Sequence, residues 1–135
     1  MHEFAQEIDA FVTELDAAVA AHLDWVRRVL RCAVLQSTPG EDVLSGHAHT
    51  LCRFGAWFAS KRSHFERLDT AATERVDAVH ESMHDAIRTI CNTVLGGQPA
   101  QHGDLDVFER TQSELLALLA RFKTLVLSSA QRHDP

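Results

Sequence analysis

The sequence predicts an all-α fold, an antiparallel four-helix bundle, from three observations. Four stretches repeat apolar residues at alternating steps of three and four, and short interruptions separate them. No stretch alternates apolar and polar residues with the period of two that a half-buried strand shows. The 135 residues include no Tyr, two Trp and seven Phe, which suits a helical domain better than a β-sandwich. Four amphipathic helices of this kind bury their stripes best as a single bundle.

The first predicted helix runs from about Glu3 to Gln36 and contains neither Gly nor Pro. Ser37-Thr38-Pro39-Gly40 ends it, because Pro and Gly disfavour continuation of a helix. Periodicity alone leaves open whether this long helix breaks near Ala17–Ala21. Its inward stripe consists of Ile8, Phe11, Leu15, Val19, His22, Val26, Val29 and Ala33.

The second predicted helix starts near Glu41 and Asp42, two acids that suit the positive end of a helix dipole, and extends to about Phe65. Its inward stripe consists of Leu44, Ala48, Leu51 or Cys52, Gly55 and Phe58.

The third predicted helix runs from about Asp69 to Leu95, where Gly96-Gly97-Gln98-Pro99 terminates it. Its inward positions are Val76, His80, Met83, His84, Ile87, Ile90 and Val94. The fourth runs from Asp104 to about Ala130. Its inward positions are Leu105, Phe108, Gln112, Leu115, Leu119, Phe122 and Val126.

Charge and hydropathy exclude several classes of protein. Nineteen acids against thirteen bases give a net charge of −6, which argues against binding to a nucleic-acid backbone. No apolar run approaches the roughly 18–20 residues that span a bilayer, and the first residues do not form a secretory signal. We therefore expect a cytoplasmic protein whose three cysteines are thiols or metal ligands.

Four potential metal ligands occupy positions at which the stripes should be apolar: His22, Cys52, His80 and His84. Each residue alone is more often structural, as a hydrogen-bonded core histidine or a small buried thiol. Together they place ligands on three helices, with His80 and His84 on one face at i,i+4. One Cys and three His complete a tetrahedral Zn²⁺ site, so we expect Zn²⁺ as the cofactor. His49 remains an alternative ligand, because it precedes Cys52 by three residues.

The segment His80-Glu81-Ser82-Met83-His84 also spells H-E-x-x-H, the signature of zinc proteases. That chemistry requires an open coordination position for water and a cleft beside the metal. The chain predicts no sheet to form such a cleft, and Cys52 would take the open position. We therefore reject the protease interpretation and expect Glu81 on the helix surface.

Three blocks together resemble the chemoreceptor zinc-binding (CZB) domain family. They are His22-Leu23-Asp24-Trp25, the segment Cys52-Arg53-Phe54-Gly55-Ala56-Trp57, and His80-Glu81-Ser82-Met83-His84. The resemblance covers roughly Glu3 to Leu127. It implies a helical bundle that holds one zinc through His22, Cys52, His80 and His84, usually within a homodimer.

The resemblance also assigns roles to residues near the ligands. Trp25 and Trp57 are expected to pack around the site and limit water. Gly55 costs about 1 kcal/mol relative to Ala inside a helix, which predicts close backbone packing there. At a dimer interface we expect the fourth helix and part of the first, with Leu116 and Leu118 as additional apolar surface.

The family occurs at the C-terminal end of chemoreceptors and ahead of the GGDEF domain of diguanylate cyclases. Met1 lies shortly before the first predicted helix, and Asp134-Pro135 resembles the residues that open a GGDEF domain. We therefore expect residues 1–130 to form a zinc-binding regulatory domain. Residues 131–135 would begin a linker to an output domain.

The expected function is zinc-dependent control of that output domain, with no catalytic residue in this chain. Two alternatives stay open: a chemotaxis-type or redox-sensing receptor domain, and a purely structural zinc dimerisation module. Cys52 is the expected redox-responsive ligand. Cys32 lies about 15 Å along its helix from His22, and Cys91 about 10 Å from His84, too far to share the ion.

Overall fold

The computed structural model describes residues 2–44 and 52–132, and these residues form helices and connecting turns. The helices are α1 (His2–Leu35), α2 (Glu41–Leu44), α3 (Arg53–Leu68), α4 (Thr70–Leu95) and α5 (His102–Arg132). The four long helices confirm the predicted all-α bundle, and α1 continues through Ala17–Ala21 without a break. Within the described ranges, none of the helices combines the length and apolar character that crossing a bilayer requires.

The prediction of one continuous second helix was wrong in the middle of that segment. Helix α2 ends at Leu44, and Cys52 has an extended backbone, with φ −75° and ψ 156°, so that it caps α3 from outside. Gly55 is therefore in the first turn of α3 rather than in the interior of a long helix. Residues 45–51 lie outside the described part of the chain, and with them the predicted inward residues Ala48 and Leu51.

Local hydrogen bonds fix the ends of the long helices. At the end of α1, Gln36 has a left-handed φ of 56°, and the Ser37 N–H donates to the Cys32 carbonyl at 2.9 Å. At the end of α4, Gly97 has φ 88° and the Gln98 N–H donates to the Thr93 carbonyl at 3.1 Å. Both ends form the 6→1 bond of a Schellman motif, and Gly97 has no Cβ to oppose the left-handed turn.

The core lies between the predicted stripes, and α5 packs most extensively against α4. The largest fully buried side chains of this core include Leu15, Phe54, Phe65, Met83, Ile87, Leu115 and Phe122. Leu105 was predicted to be inward but is 38% exposed. Leu95, on the other side of the α4–α5 connection, is exposed as well, so the bundle core ends before this turn.

Candidate metal centre

Cys52 presents its sulfur at the N-terminus of α3. Its Sγ accepts a hydrogen bond from the Gly55 N–H at 3.2 Å, and its carbonyl accepts from the Ala56 N–H at 3.0 Å. The thiol thus occupies the place of the Ser or Asp side chain that usually caps a helix. The partial positive charge of a helix N-terminus stabilises a negative group such as a thiolate. The local fold therefore prepares Cys52 to ligate a cation.

His80 and His84 lie one turn apart on the inner face of α4. Their side chains are 3% and 1% exposed, so neither ring is solvated. The two Nε2 atoms are 3.0 Å apart, and the ring planes are perpendicular. This spacing follows from the helix, in which residues i and i+4 share one face.

Cys52 approaches this pair from α3, with its Sγ 3.3 Å from the His80 Nε2. The potential ligand atoms of Cys52, His80 and His84 all lie within 4.8 Å of one another. Zinc binds imidazole nitrogen at about 2.0–2.1 Å and thiolate sulfur at about 2.3 Å, so its ligands crowd to a few ångströms. A buried set of one sulfur and two imidazoles fits Zn²⁺, and these residues could hold it.

His22 is not within that compact group, although it lies beside it. Its side chain is 3% exposed, and its Nε2 has no hydrogen-bond partner among the described residues. Its ring stacks on Trp25 at 5.9 Å, and Trp25 in turn contacts His84 at 4.5 Å. His22 and Cys52 also line one cavity of about 290 Å³.

Burial lowers the pKa of His22, and the side chain of Gln112 on α5 opposes this effect in part. A lowered pKa keeps the imidazole neutral near pH 7, which is the form that ligates metals. Gln112 is one of the predicted inward residues of α5, and its polarity within an apolar stripe was the available signal for a neighbour of His22.

Aromatic rings enclose the ligands. Trp25 packs on His84 as expected, whereas the ring contacts described for Trp57 are with phenylalanines, among them Phe65 at 5.5 Å. The Nε1 of Trp57 donates to the Glu14 carboxylate at 3.4 Å. Phe54 takes the expected place, with its ring edge-on to His80 at 4.9 Å. This role of Phe54 was not predicted from the sequence, although Phe54 follows Cys52 by two residues.

The sequence predictions also concern one acidic residue, two cysteines and one histidine. Glu81 is exposed while its histidine neighbours are buried, so it points away from the ligand cluster as expected. Cys32 is half-buried, and Cys91 is buried with its pKa raised to about 11 by burial and by Cys32. His49 lies outside the described residues.

A helical bundle with a buried Cys-His-His cluster is the arrangement of a metal-binding domain, and its donor atoms suit Zn²⁺. The chain belongs to the chemoreceptor zinc-binding domain (CZB) family, whose model matches residues 22–91. The match begins at His22 and includes Cys52, His80 and His84. It confirms the resemblance found in the sequence and Zn²⁺ as the cofactor.

Two further comparisons agree with this assignment. Diguanylate cyclase DgcZ of Escherichia coli (strain K12) is 25% identical over 131 residues, which cover 95% of this chain and 43% of that protein. The chain thus spans less than half the length of this curated relative. A solved structure, the regulatory CZB domain of DgcZ, matches with a TM-score of 0.75 at 23% identity, over 89% of this chain and 98% of that chain. This likeness confirms the fold.

Proposed function

We propose that this chain is a zinc-responsive regulatory module that controls a diguanylate cyclase output domain. The observation that carries the proposal is the convergence of Cys52 and two histidines, from two helices, at one buried point. The similarity to a diguanylate cyclase over 95% of the chain supports the choice of output domain.

The proposed zinc ligands are His22, Cys52, His80 and His84. The environment of His22 supports its inclusion among the ligands. A buried imidazole nitrogen without a hydrogen-bond partner costs free energy unless another group satisfies it. A change of rotamer could direct its Nε2 toward the cavity that it shares with Cys52. Zinc bound there would cross-link three helices: α1, α4 and the N-terminus of α3. With four protein ligands, the ion would have no open coordination position for the water that hydrolysis requires.

Helix α5 is the proposed route from the centre to the output domain. Helix α4 carries both ligand histidines, and its Arg75 forms a bidentate ion pair with Glu114 of α5. Asp69, the cap of α4, binds Arg121 of α5 at 3.1 Å. A shift of α4 upon zinc binding or loss would therefore displace α5, whose last residues lead toward the output domain.

We further propose a homodimer. Helix α1 exposes apolar side chains at i, i+7 and i+11, namely Leu23, Leu30 and Val34, and Val34 is 81% exposed. Such a stripe suits a second copy of the same helix. We expect α5 to contribute less than α1 to the dimer interface, because Leu116 and Leu118 are half-buried within the protomer. Leu127 of α5 is exposed and remains available for such a contact.

The proposed domain comprises residues 1–130, with a linker that begins at 131–135. Helix α5 continues to Arg132, so the linker would start as a helix, and residues 133–135 lie outside the described part. Paired output domains would then be oriented by two copies of α5. We place the module in the cytoplasm, where reducing conditions keep unbridged thiols such as Cys32, Cys52 and Cys91 reduced.

The test joins this chain to the catalytic domain of a diguanylate cyclase and measures c-di-GMP synthesis from GTP across buffered zinc concentrations. We expect a zinc-dependent change in rate that disappears in His84→Ala and persists in Cys91→Ala, the matched control on the same helix. A rate that is independent of zinc, with stoichiometric metal bound and resistant to chelators, would assign the chain to the structural alternative.

A further inference from the structure

The cavity beside Cys52 extends beyond the metal ligands. It lies between α1 and the first turn of α3, has a volume of about 290 Å³, and is lined in part by Trp25, Arg28 and Arg53. The proposed zinc set uses none of these three residues. The cavity is therefore large enough, and chemically distinct enough, to hold something other than the ion.

Trp25 supplies a hydrogen-bond donor without an acceptor. Its side chain is 8% exposed, and its Nε1 has no hydrogen-bond partner among the described residues. An indole N–H can only donate, so whatever satisfies it must be an acceptor. Most buried polar groups in proteins have partners, so this donor at a cavity wall calls for an acceptor from a water molecule or a bound ligand.

The charges at this cavity favour an anion. Two guanidinium side chains, Arg28 and Arg53, line it, and the N-terminus of α3 at Arg53 adds partial positive charge. Among the described residues that line the cavity, Asp24 contributes a carboxylate that opposes them. Asp24 is exposed and lies 3.8 Å from Arg27, a contact that offsets its charge.

We propose that this cavity is a binding site for a small oxyanion, a carboxylate or a phosphate group, held by the Trp25 indole N–H with Arg28 and Arg53. Guanidinium groups bind both anions through paired hydrogen bonds. A zinc with one thiolate and three neutral imidazoles has a formal charge of about +1, so anion and metal should favour each other's binding. The site does not depend on the identity of the output domain.

The experiment follows the indole N–H signals of the zinc-loaded chain by ¹H–¹⁵N NMR. The protein has two tryptophans, so a Trp57→Phe variant assigns the Trp25 signal. Sodium phosphate and sodium acetate are titrated separately at constant ionic strength, and bound zinc is measured after each series. We expect a saturable shift of the Trp25 signal with at least one anion, while the Trp57 signal stays unchanged.

Arg53→Gln should weaken the apparent affinity by about tenfold, the factor that the loss of one charged hydrogen bond of about 1.4 kcal/mol gives. Arg110→Gln, an equal change of charge on the exposed surface of α5, is the control and should leave the affinity unchanged. Saturation by phosphate alone or by acetate alone identifies the class of anion. A shift that never saturates, or equal weakening in both variants, would overturn the site.

Discussion

Two regions of this bundle join its helices by opposite means. The metal-centre region, formed by His22, Cys52, His80 and His84, joins α1, α3 and α4 through polar side chains that are buried. The aromatic region joins α1, α3 and α5 through ring contacts. It consists of Phe11, Trp57, Phe58, Phe65 and Phe122.

The difference concerns what each region requires from solution. Phe65 is fully buried and contacts Phe11, Phe58 and Phe122 at 4.8–5.3 Å between ring centroids, so its packing needs no ligand. Polar groups such as the His22 Nε2 are costly to bury unless a partner satisfies them. The aromatic region should therefore hold the bundle together at all times, while the metal-centre region should tighten or loosen with the ion.

Removal of the central ring should have the largest effect on stability. Phe65→Ala should lower the free energy of unfolding by about 3–5 kcal/mol, because it deletes a fully buried ring and leaves a cavity. Urea unfolding followed by circular dichroism, with zinc and with chelator, measures this loss. The loss should be the same in both conditions. As a control, Glu109→Ala on the exposed face of α5 should change the free energy of unfolding by no more than about 0.5 kcal/mol. A loss confined to the zinc-loaded state would abolish the distinction between the regions.

Chelation of zinc should have the next largest effect. At free zinc 100-fold above the dissociation constant, binding to the folded state stabilises it by about 2.7 kcal/mol, and chelation removes that amount. Hydrogen exchange measured by mass spectrometry should accelerate in the first turn of α3 and around His80. Peptides that contain Phe65 and Phe122 should keep their protection. Uniform acceleration along all helices would show that the metal holds the whole bundle.

The sequence predicted most of both regions, because helical periodicity identifies the inward face wherever a helix is long. The buried positions of α4 follow from steps of three and four alone, whereas periodicity left open whether α1 is continuous. His80 and His84 were recognisable as candidate ligands because the helix itself sets their separation. Their convergence on Cys52 depends in addition on the start of α3, which lies against the inner face of α4.

The conformation at Cys52 could not be predicted from this pattern. The predicted stripe of Leu44, Ala48, Leu51 or Cys52, Gly55 and Phe58 runs in steps of three and four, so periodicity did not reveal the interruption at Cys52. Ser, Thr, Asp and Asn mark most helix starts, and cysteine is not among the usual caps. The contact of Phe54 with His80 depends on this start of α3, which explains why Trp57 was predicted in its place.

Removal of the thiol should weaken zinc binding without abolishing it. Cys52→Ala should leave the histidines and lower the affinity by about 10–100-fold, no less than the loss of a supporting residue around a metal. Zinc release after treatment with hypochlorite or peroxide, followed with a chromogenic chelator, should no longer respond to the oxidant. The matched control is Cys91→Ala, because burial and Cys32 raise the pKa of that thiol to about 11 and keep it protonated. Equal oxidant-driven release from the wild type and Cys52→Ala would exclude Cys52 as the redox-responsive ligand.

The smallest effect should come from His64, at the edge of the aromatic region, where its ring stacks on Phe11 at 4.3 Å. Burial lowers its pKa, as do Arg67 and Lys61, while Glu7 acts in the opposite direction. Between the ordinary value of 6.5 and the lowered one, the unfolded chain binds more protons than the folded chain. The stabilisation is therefore present above pH 6.5 and is lost as the pH falls through the lowered pKa. His64→Gln should flatten this dependence slightly, since the ring is only half-buried and solvent partly screens its charge. Urea midpoints at pH 7.5 and 5.5 in chelator measure the difference, with the exposed His102→Gln as control. If the stacked ring of His64 did not favour its neutral form, the urea midpoints of the two variants would change equally with pH. The stability of the aromatic region would then be independent of pH as well as of metal.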